Sequence, residues 1–372
     1  MCGVRNLKIG KKGVGPVSLA GALTVARLEF RLRIRAGRWR WLVAAWFLVL
    51  LVVTVLVRAA LSERTLGQEQ LAARGAIMFG IVMLIVLGLA LLVAPALAAQ
   101  SVNGDRERGT LATLQVTRLR AAEIAVGKLL ASWGTAAVFL LVTLPLALWC
   151  YAEGGLSVLR LLTVYGVMGL LLGVVCALAL ALSALLARST TSGVLAYLTV
   201  FALTVGTFIA FGLATVLTQD TATAVEQSCG YNQDGTPQPG SCQEVSYETA
   251  VPRTDRTWWI LAPNPFAVLA DSAPAAPSRR ERRPDGSLQE VAVPLDPLGA
   301  LSRTLHQIRV RPVQQPGQYG GTEFSVPSGA VGAAVWPTGL GIDLVLAAGA
   351  VWLTARRLRT PVYRLARGQR IA

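Results

Sequence analysis

Histidine is nearly missing from this chain of 372 residues: His306 is the only one. Of the 35 basic residues only Lys8, Lys11, Lys12 and Lys128 are lysine, an arginine bias that fits a GC-rich genome and says little about chemistry. The five cysteines form no CxxC pair, so a zinc site has no ligand set. The usual hydrolytic centres are missing too, since there is no HExxH, no GxSxG and no pair of acids inside one apolar run. Nor is there a GxxxxGKS or GxxxxGKT stretch. Gly127-Lys128 is followed by Leu129, so the chain has no phosphate-cradling loop. Charge itself is scarce: charged residues are 15% of the chain, against about 25% in a soluble domain.

Apolar residues take the place of charge, at 53% with a mean hydropathy of +0.54. Six stretches are long enough to cross a bilayer as helices: Trp39–Val57, Gly75–Ala99, Leu129–Trp149, Leu161–Ala187, Gly193–Leu217 and Ala330–Leu353. The last is weakened by Pro337 and Asp343. The basic leader before the first stretch is too long for a cleaved signal peptide, so that span is expected to stay as a signal anchor. Lipid leaves no water for unpaired backbone, so the expected fold is an all-α integral membrane protein with six transmembrane helices.

The net charge of +15 would also fit a nucleic-acid binder, so its distribution decides. Segment 1–40 has ten basic residues against one acid, Glu29, and the tail from Thr354 adds six arginines. With six spans these segments, the 100–128 loop and Arg188 share one side, predicted to be cytoplasmic with both termini. The long loop 218–329 falls outside and carries nine arginines against twelve acids. Basic residues that flank apolar spans argue against nucleic acid. The domain reading is a basic N-terminus over 1–40, spans 1–5 over 41–217, an extracytoplasmic loop over 218–329, and span 6 with a basic tail over 330–372.

The outer loop between spans 5 and 6 is rich in Pro, Gly, Ser and Thr. Cys229 and Cys242 sit in it twelve residues apart, and an oxidising face predicts a disulfide between them rather than two free thiols. Cys2, Cys150 and Cys176 read as inert. Trp258-Trp259 stands at the head of the apolar run TWWILAPNPFAVLAD, residues 257–271. It fits either a short re-entrant helix at the membrane surface or a surface helix on the external subdomain. Arg279–Arg283 reads as a solvated charge run before an anion site. On the other side, Leu19, Leu23, Ala26, Phe30 and Ile34 recur at three and four, with Arg27, Arg31, Arg35 and Arg38 elsewhere. That is an amphipathic interfacial helix whose arginines meet anionic membrane lipid, favoured over a short strand. Gly166, Gly169 and Gly173 read as helix-packing positions.

The loop after span 2 is the most informative. Asn103-Gly104 turns the chain, Asp105 and Glu107 suit the first turn of a short helix, and a second helix starts near Glu123. Glu107, Gly109, Thr110, Leu111, Leu114, Glu123, Ile124, Gly127 and Lys128 together resemble the signature region of ATP-binding-cassette (ABC) type 2 transporter permeases. Ala112 and Arg118 depart from the pattern, where an acid and a proline are common. The resemblance implies a membrane-spanning subunit of an exporter in a bacterial cell membrane. Two such chains, as a homodimer or heterodimer, form the path, and a separate ABC ATPase subunit binds the ATP and Mg. Loop 100–125 then holds the coupling helix between spans 2 and 3, with Asp105, Glu107, Arg108, Gly109, Thr110, Leu111 and Leu114 as coupling residues. Asp343 has two readings. An acid inside a span is a pathway candidate, or the span is shifted and Asp343 lies near water. Three rival classes stand beside the permease. A membrane enzyme has no motif, and a secondary transporter would show internal repeats. A non-transporting membrane component stays open.

Overall fold

The structure is a computed structural model. It describes residues 18–359 apart from 36–37, 63–70, 72, 108, 110–119, 229–242, 275–278, 283–287, 292–295, 317–321 and 328–331. Six helical runs are long and apolar enough to cross a membrane: Trp39–Ala60, Arg74–Glu107, Ala121–Ala152, Val158–Leu185, Ser189–Leu217 and Trp336–Arg357. They are spans 1 to 6 below.

Helix α1 (Leu19–Arg35) precedes α2 (Arg38–Ala60), which is span 1. Span 2 comprises α3 (Arg74–Ala98) and the one-turn α4 (Asn103–Glu107). Span 3 breaks at Thr143 into α5 (Ala121–Val142) and α6 (Leu144–Ala152), because Pro145 supplies no N–H for the preceding turn. Span 4 is the unbroken α7 (Val158–Leu185). Span 5 joins α8 (Ser189–Phe201) to α9 (Thr207–Leu217) through a π-helical turn at Ala202–Gly206. Span 6 is α13 (Trp336–Arg357). It starts six residues later than hydropathy alone suggests, since Pro337 occupies its first turn, where a missing N–H is harmless.

Spans 2 and 4 form the centre. Met78, Phe79, Val82, Met83, Val86 and Leu87 of span 2 are fully buried against span 4 residues such as Val164, Met168 and Leu172. Span 4 is buried over 72% of its most apolar window, and spans 1 and 5 over only 17% and 11%. Spans 1 and 5 therefore stand at the periphery with their leucines and valines turned outward. Of the three glycines expected at helix contacts, Gly173 lies against Trp133, while a Cβ added at Gly166 or Gly169 would meet nothing within 4 Å.

The segment between spans 5 and 6 is not helical throughout, which narrows the all-α expectation to the membrane part. It contains three antiparallel hairpins: β1 (Asp220–Ser228) with β2 (Gln243–Val251), β3 (Arg279–Arg282) with β4 (Leu288–Val291), and β5 (Val313–Pro316) with β6 (Thr322–Ser325). Alternating Thr, Ala, Val and Tyr at low apolar content suits strands better than a core helix. Cys229 and Cys242, the expected disulfide, lie outside the described residues, as does Cys2. Cys150 and Cys176 are buried free thiols.

Four helical pieces lie among the strands: α10 (Thr254–Thr257), a 3-10 turn (Trp258–Ile260), α11 (Pro265–Ser272) and α12 (Pro297–Gln307). Helix α11 is no surface helix. Val268, Leu269 and Ala270 are buried in the same core as spans 2 and 4. Gly339 of span 6 makes this possible, because a Cβ there would sit 2.0 Å from the Ala262 carbonyl oxygen. Asn264 caps α11, its Oδ1 accepting from the N–H of Phe266 and Ala267. Its Nδ2 donates at 2.8 Å to both the Thr204 carbonyl and the Thr207 hydroxyl, at the π-turn of span 5.

Candidate coupling site and buried carboxylates

The first turn beyond span 2 is anchored inward. Lys128 of span 3 is fully buried, and its Nζ donates to Glu29 Oε1 of α1, to Asp105 Oδ2 of α4, and to the Ser101 carbonyl at 2.9 Å. One ammonium has three donors and no acceptor, so all of its capacity is used, by α1 and by the end of span 2. Arg33 extends the knot. Its Nη2 lies 3.7 Å from Glu29 and donates to the Leu97 carbonyl, while Nη1 donates to Thr135 Oγ1. Burial pushes the Arg33 guanidinium below its ordinary value, partly offset by Glu29.

Two further residues bring α1 and span 3 together. Gly127 has no side chain, and a Cβ there would stand 2.6 Å from Val25 Cβ. Glu123 accepts from the backbone N–H of Arg120 and of Ser18, both at 2.9 Å, tying the starts of the two helices. Ala22 and Val25 are buried on span 3, whereas Leu19, Leu23, Leu28 and Leu32 stay exposed. Helix α1 thus packs a small and ionic face on the protein and leaves an apolar face exposed.

The same turn is fastened to spans 4 and 5. The N–H groups of Val102 and Asn103 donate to Ser183 Oγ at 3.2 Å. Arg106 donates to the carbonyls of Ala184 and Leu186, satisfying groups at the end of span 4. Glu107 is exposed, and its Oε1 accepts from the Ser189 N–H at 3.4 Å where span 5 begins. Gly109 then ends α4 at φ +71°, with its N–H donating to the Arg106 carbonyl. A left-handed residue at a helix end favours glycine.

Of the sequence-predicted coupling residues, Asp105 is turned inward to Lys128, while Glu107 and Gly109 face out. Arg108, Thr110, Leu111 and Leu114 lie outside the described residues. Sequence reasoning placed Lys128 in a motif but missed it as the hub of an ion cluster. Two signals pointed there: Glu29 is the lone acid of a basic segment, and Lys128 is the only lysine after residue 12.

Three carboxylates are buried at or above the other end of the bundle. Asp343 of span 6 is 1% exposed, and neither oxygen has a hydrogen-bond partner. Span 6 begins at Trp336, so Asp343 lies two turns inside it. Asp296 precedes α12 and accepts from Arg160 Nη2 at 2.7 and 2.8 Å, with both side chains at most 2% exposed. Asp271 Oδ2 accepts from the N–H groups of Val335 and Trp336 at 2.6 and 2.8 Å, capping span 6 from α11. Its Oδ1 accepts from Ser302 Oγ and lies 2.6 Å from His306 Nε2. The hydroxyl meets the carboxylate and not the imidazole, so this is a structural junction and no nucleophile pair.

A fourth carboxylate, Glu153, joins the end of span 1, the start of span 2 and the end of span 3. It accepts from Arg58 Nε at 2.7 Å, from Trp149 Nε1 at 3.2 Å and from Arg74. Burial opposes its charge, but the bonds from Arg58, Arg74 and Trp149 outweigh that and hold it below the usual carboxylate range. Among the described residues no group of His, Cys, Asp and Glu is arranged to hold a metal ion.

Residues 23–247 match the sequence profile of a family described as ABC-2 family transporter protein. The match runs from α1 through span 5 to the first hairpin, more than half of the chain. No curated protein matches the chain by sequence.

Proposed function

The chain belongs to the ABC-2 transporter family, and on that premise we propose that it is the permease subunit of an ABC exporter. It is a multi-pass membrane component. In this reading two permease chains form the substrate path, and a separate ABC ATPase binds ATP and Mg. Both termini and the loop between spans 2 and 3 face that ATPase on the cytoplasmic side. The distribution of Lys and Arg supports the orientation.

The observation that carries the reading is the knot around Lys128. A motor outside the membrane must grip a polar segment that cannot yield independently of the spans. The turn Asn103–Glu107 continues span 2, is salt-bridged through Asp105 to span 3 and to α1, and is hydrogen-bonded to the end of span 4. A displacement of this turn is shared by four elements at once. Closure of the ATPase dimer on ATP would move residues 105–120, and the bundle would switch from inward to outward access as a two-state element. Glu107 and Gly109 are the exposed coupling residues. Asp343 is the pathway candidate, since an unpartnered carboxylate in a span is costly to keep without a use.

The test begins with co-purification. A tagged chain, solubilised from its native membrane, should bring down a subunit carrying a phosphate-cradling loop. In liposomes, ATP hydrolysis by the pair should lose its dependence on the permease in Glu107→Ala and Lys128→Met. If no ATPase accompanies the chain, it is a non-transporting membrane component. If one does and both variants hydrolyse ATP as the parent does, the coupling role is wrong.

A further inference from the structure

Spans 3, 4 and 6 leave an open apolar groove between them, with a volume of about 660 Å³. Gly173 and Ala177 of span 4 form its floor. Leu129 and Trp133 of span 3 make one wall, and Ala347 and Val351 of span 6 the other. The groove exists because its floor is small. A Cβ on Gly173 would come within 3.3 Å of Trp133 Nε1, so the indole lies across the glycine and donates to the Gly169 carbonyl at 2.7 Å. With its N–H satisfied, Trp133 offers the groove an apolar face. Below, Ala177, Ala181 and Ala350 pack closely and keep the walls from spreading.

The charge lies at one end. Among the described residues Arg359, just past span 6, is the only charged one lining the groove. Arg356 lies over Trp352 at 5.4 Å from the ring centroid, and Arg356, Arg359, Trp352 and Ala355 line a smaller cavity of about 200 Å³ at that end. The whole is one slot, apolar along its length and doubly positive at its mouth. Its axis is that of the spans, and its mouth opens at the C-terminal end of span 6.

We propose that this slot binds an anionic phospholipid, with an acyl chain along Gly173 and Ala177 and the headgroup phosphate on Arg356 and Arg359. A groove of this depth inside a bilayer is filled by hydrocarbon, because apolar walls have no other partner there. Charge complementarity selects the headgroup. Among the described residues no acid lines the slot, so a negative ligand complements the two guanidiniums, and arginine is suited to phosphate by its planar fork. A second copy of this chain is a poorer fit, since its segments on this side are themselves basic. The uncovered apolar faces that suit a copy are on spans 1 and 5. The site is independent of the transport reading.

The experiment uses the full chain in phosphatidylcholine vesicles containing brominated phosphatidylglycerol, whose bromines quench a contacting indole. The groove signal is the quenching lost on Trp133→Phe. It should saturate at a lower fraction of brominated phosphatidylglycerol than of brominated phosphatidylcholine. Removing the mouth charges with Arg356→Gln and Arg359→Gln should weaken the preference about fivefold for each arginine. Ala348→Phe should abolish the signal for both lipids by filling the slot. Unchanged helicity and thermal midpoint establish that the variants fold, and the single glutamine variants serve if the double does not. Equal quenching by the two lipids, or a preference that survives loss of both arginines, overturns the proposal. So does efficient disulfide trapping of two copies through Ala348→Cys, which gives the slot to a second chain.

Discussion

Arg160 and Asp296 offer the sharpest thermodynamic test, because both ions are buried and they join different parts of the molecule. Arg160 opens span 4, and Asp296 opens α12 in the outer segment. Both Asp296 oxygens are held by one guanidinium nitrogen, while Arg160 Nε and Nη1 are buried without a hydrogen-bond partner. Gly299 leaves room for this, since a Cβ there would meet Asp296 Oδ2 at 2.5 Å. Arg160→Met leaves a carboxylate in a site 2% exposed. Asp296→Asn keeps the shape and leaves the guanidinium facing a neutral amide. Breaking a buried pair from one side costs about 3–5 kcal/mol, whereas removing both ions is often neutral. Asp296 makes no capping bond to α12, so the double variant loses no cap. The assay is proteolysis of the outer segment in liposomes, where cleavage follows the population of the open form. At about 1.4 kcal/mol per decade, Arg160→Met should speed cleavage by roughly two orders of magnitude or more. The double variant should be slower than either single. If the effects simply add, or Arg160→Met changes the rate less than about tenfold, the pair does not hold the outer segment down.

Four further outcomes follow from the geometry. Lys128→Met leaves Glu29 and Asp105 without their shared cation and should lower the thermal midpoint, and Glu29→Leu in the same chain should recover part of the loss. Gly127→Leu should detach α1 from span 3, seen as new proteolysis between residues 18 and 35, while Gly134→Leu, where nothing lies within 4 Å, should leave the digest unchanged. Asp343→Asn removes a charge with no partner, so its midpoint should hold or rise; a marked fall would mean that the carboxylate is bonded in the membrane. Glu153 sits below the usual carboxylate range when folded, so its contribution is present above the unfolded value and is lost as pH falls through the folded one. Asp255, held low first by its bond from Arg253 and opposed by burial, acts in the same sense. Stability should therefore decline below about pH 4, with a shallower decline in Glu153→Gln.

The spans were legible because their signal is long and repeated: some twenty apolar residues need no partner to be recognised. The sixth was misplaced at its start, since hydropathy averages over Pro337 and cannot tell a helix breaker from a helix initiator. The hairpins of the outer segment were not legible. Thr221, Ala222 and Thr223 alternate too weakly for a strand to stand out, and the register depends on the partner strand far along the chain. The Lys128 cluster was half legible. Charge counting isolated Glu29 and Lys128, but their meeting depends on Gly127 admitting α1, a contact between residues about a hundred positions apart. Asp271 and Asp296 looked like two acids among twelve in a polar loop. Only the insertion of α11 among the spans buries Asp271, and no local pattern announces that.

The helix α11 has a mechanical consequence. With its cap it contributes Asn264, which holds the π-turn of span 5, and Asp271, which holds the first turn of span 6. Four hydrogen bonds from two side chains thus clamp the middle of span 5 and the first turn of span 6 to one helix of eight residues. Span 5 is the least enclosed of the six, so it has the most freedom to tilt. Any tilt that shifts its π-turn pulls on α11, and α11 pulls on the start of span 6. The segment between spans 5 and 6 is therefore a yoke as well as a cover, and motion of the most exposed span reaches the helix that carries Asp343 through α11, which is itself seated in the core of spans 2 and 4.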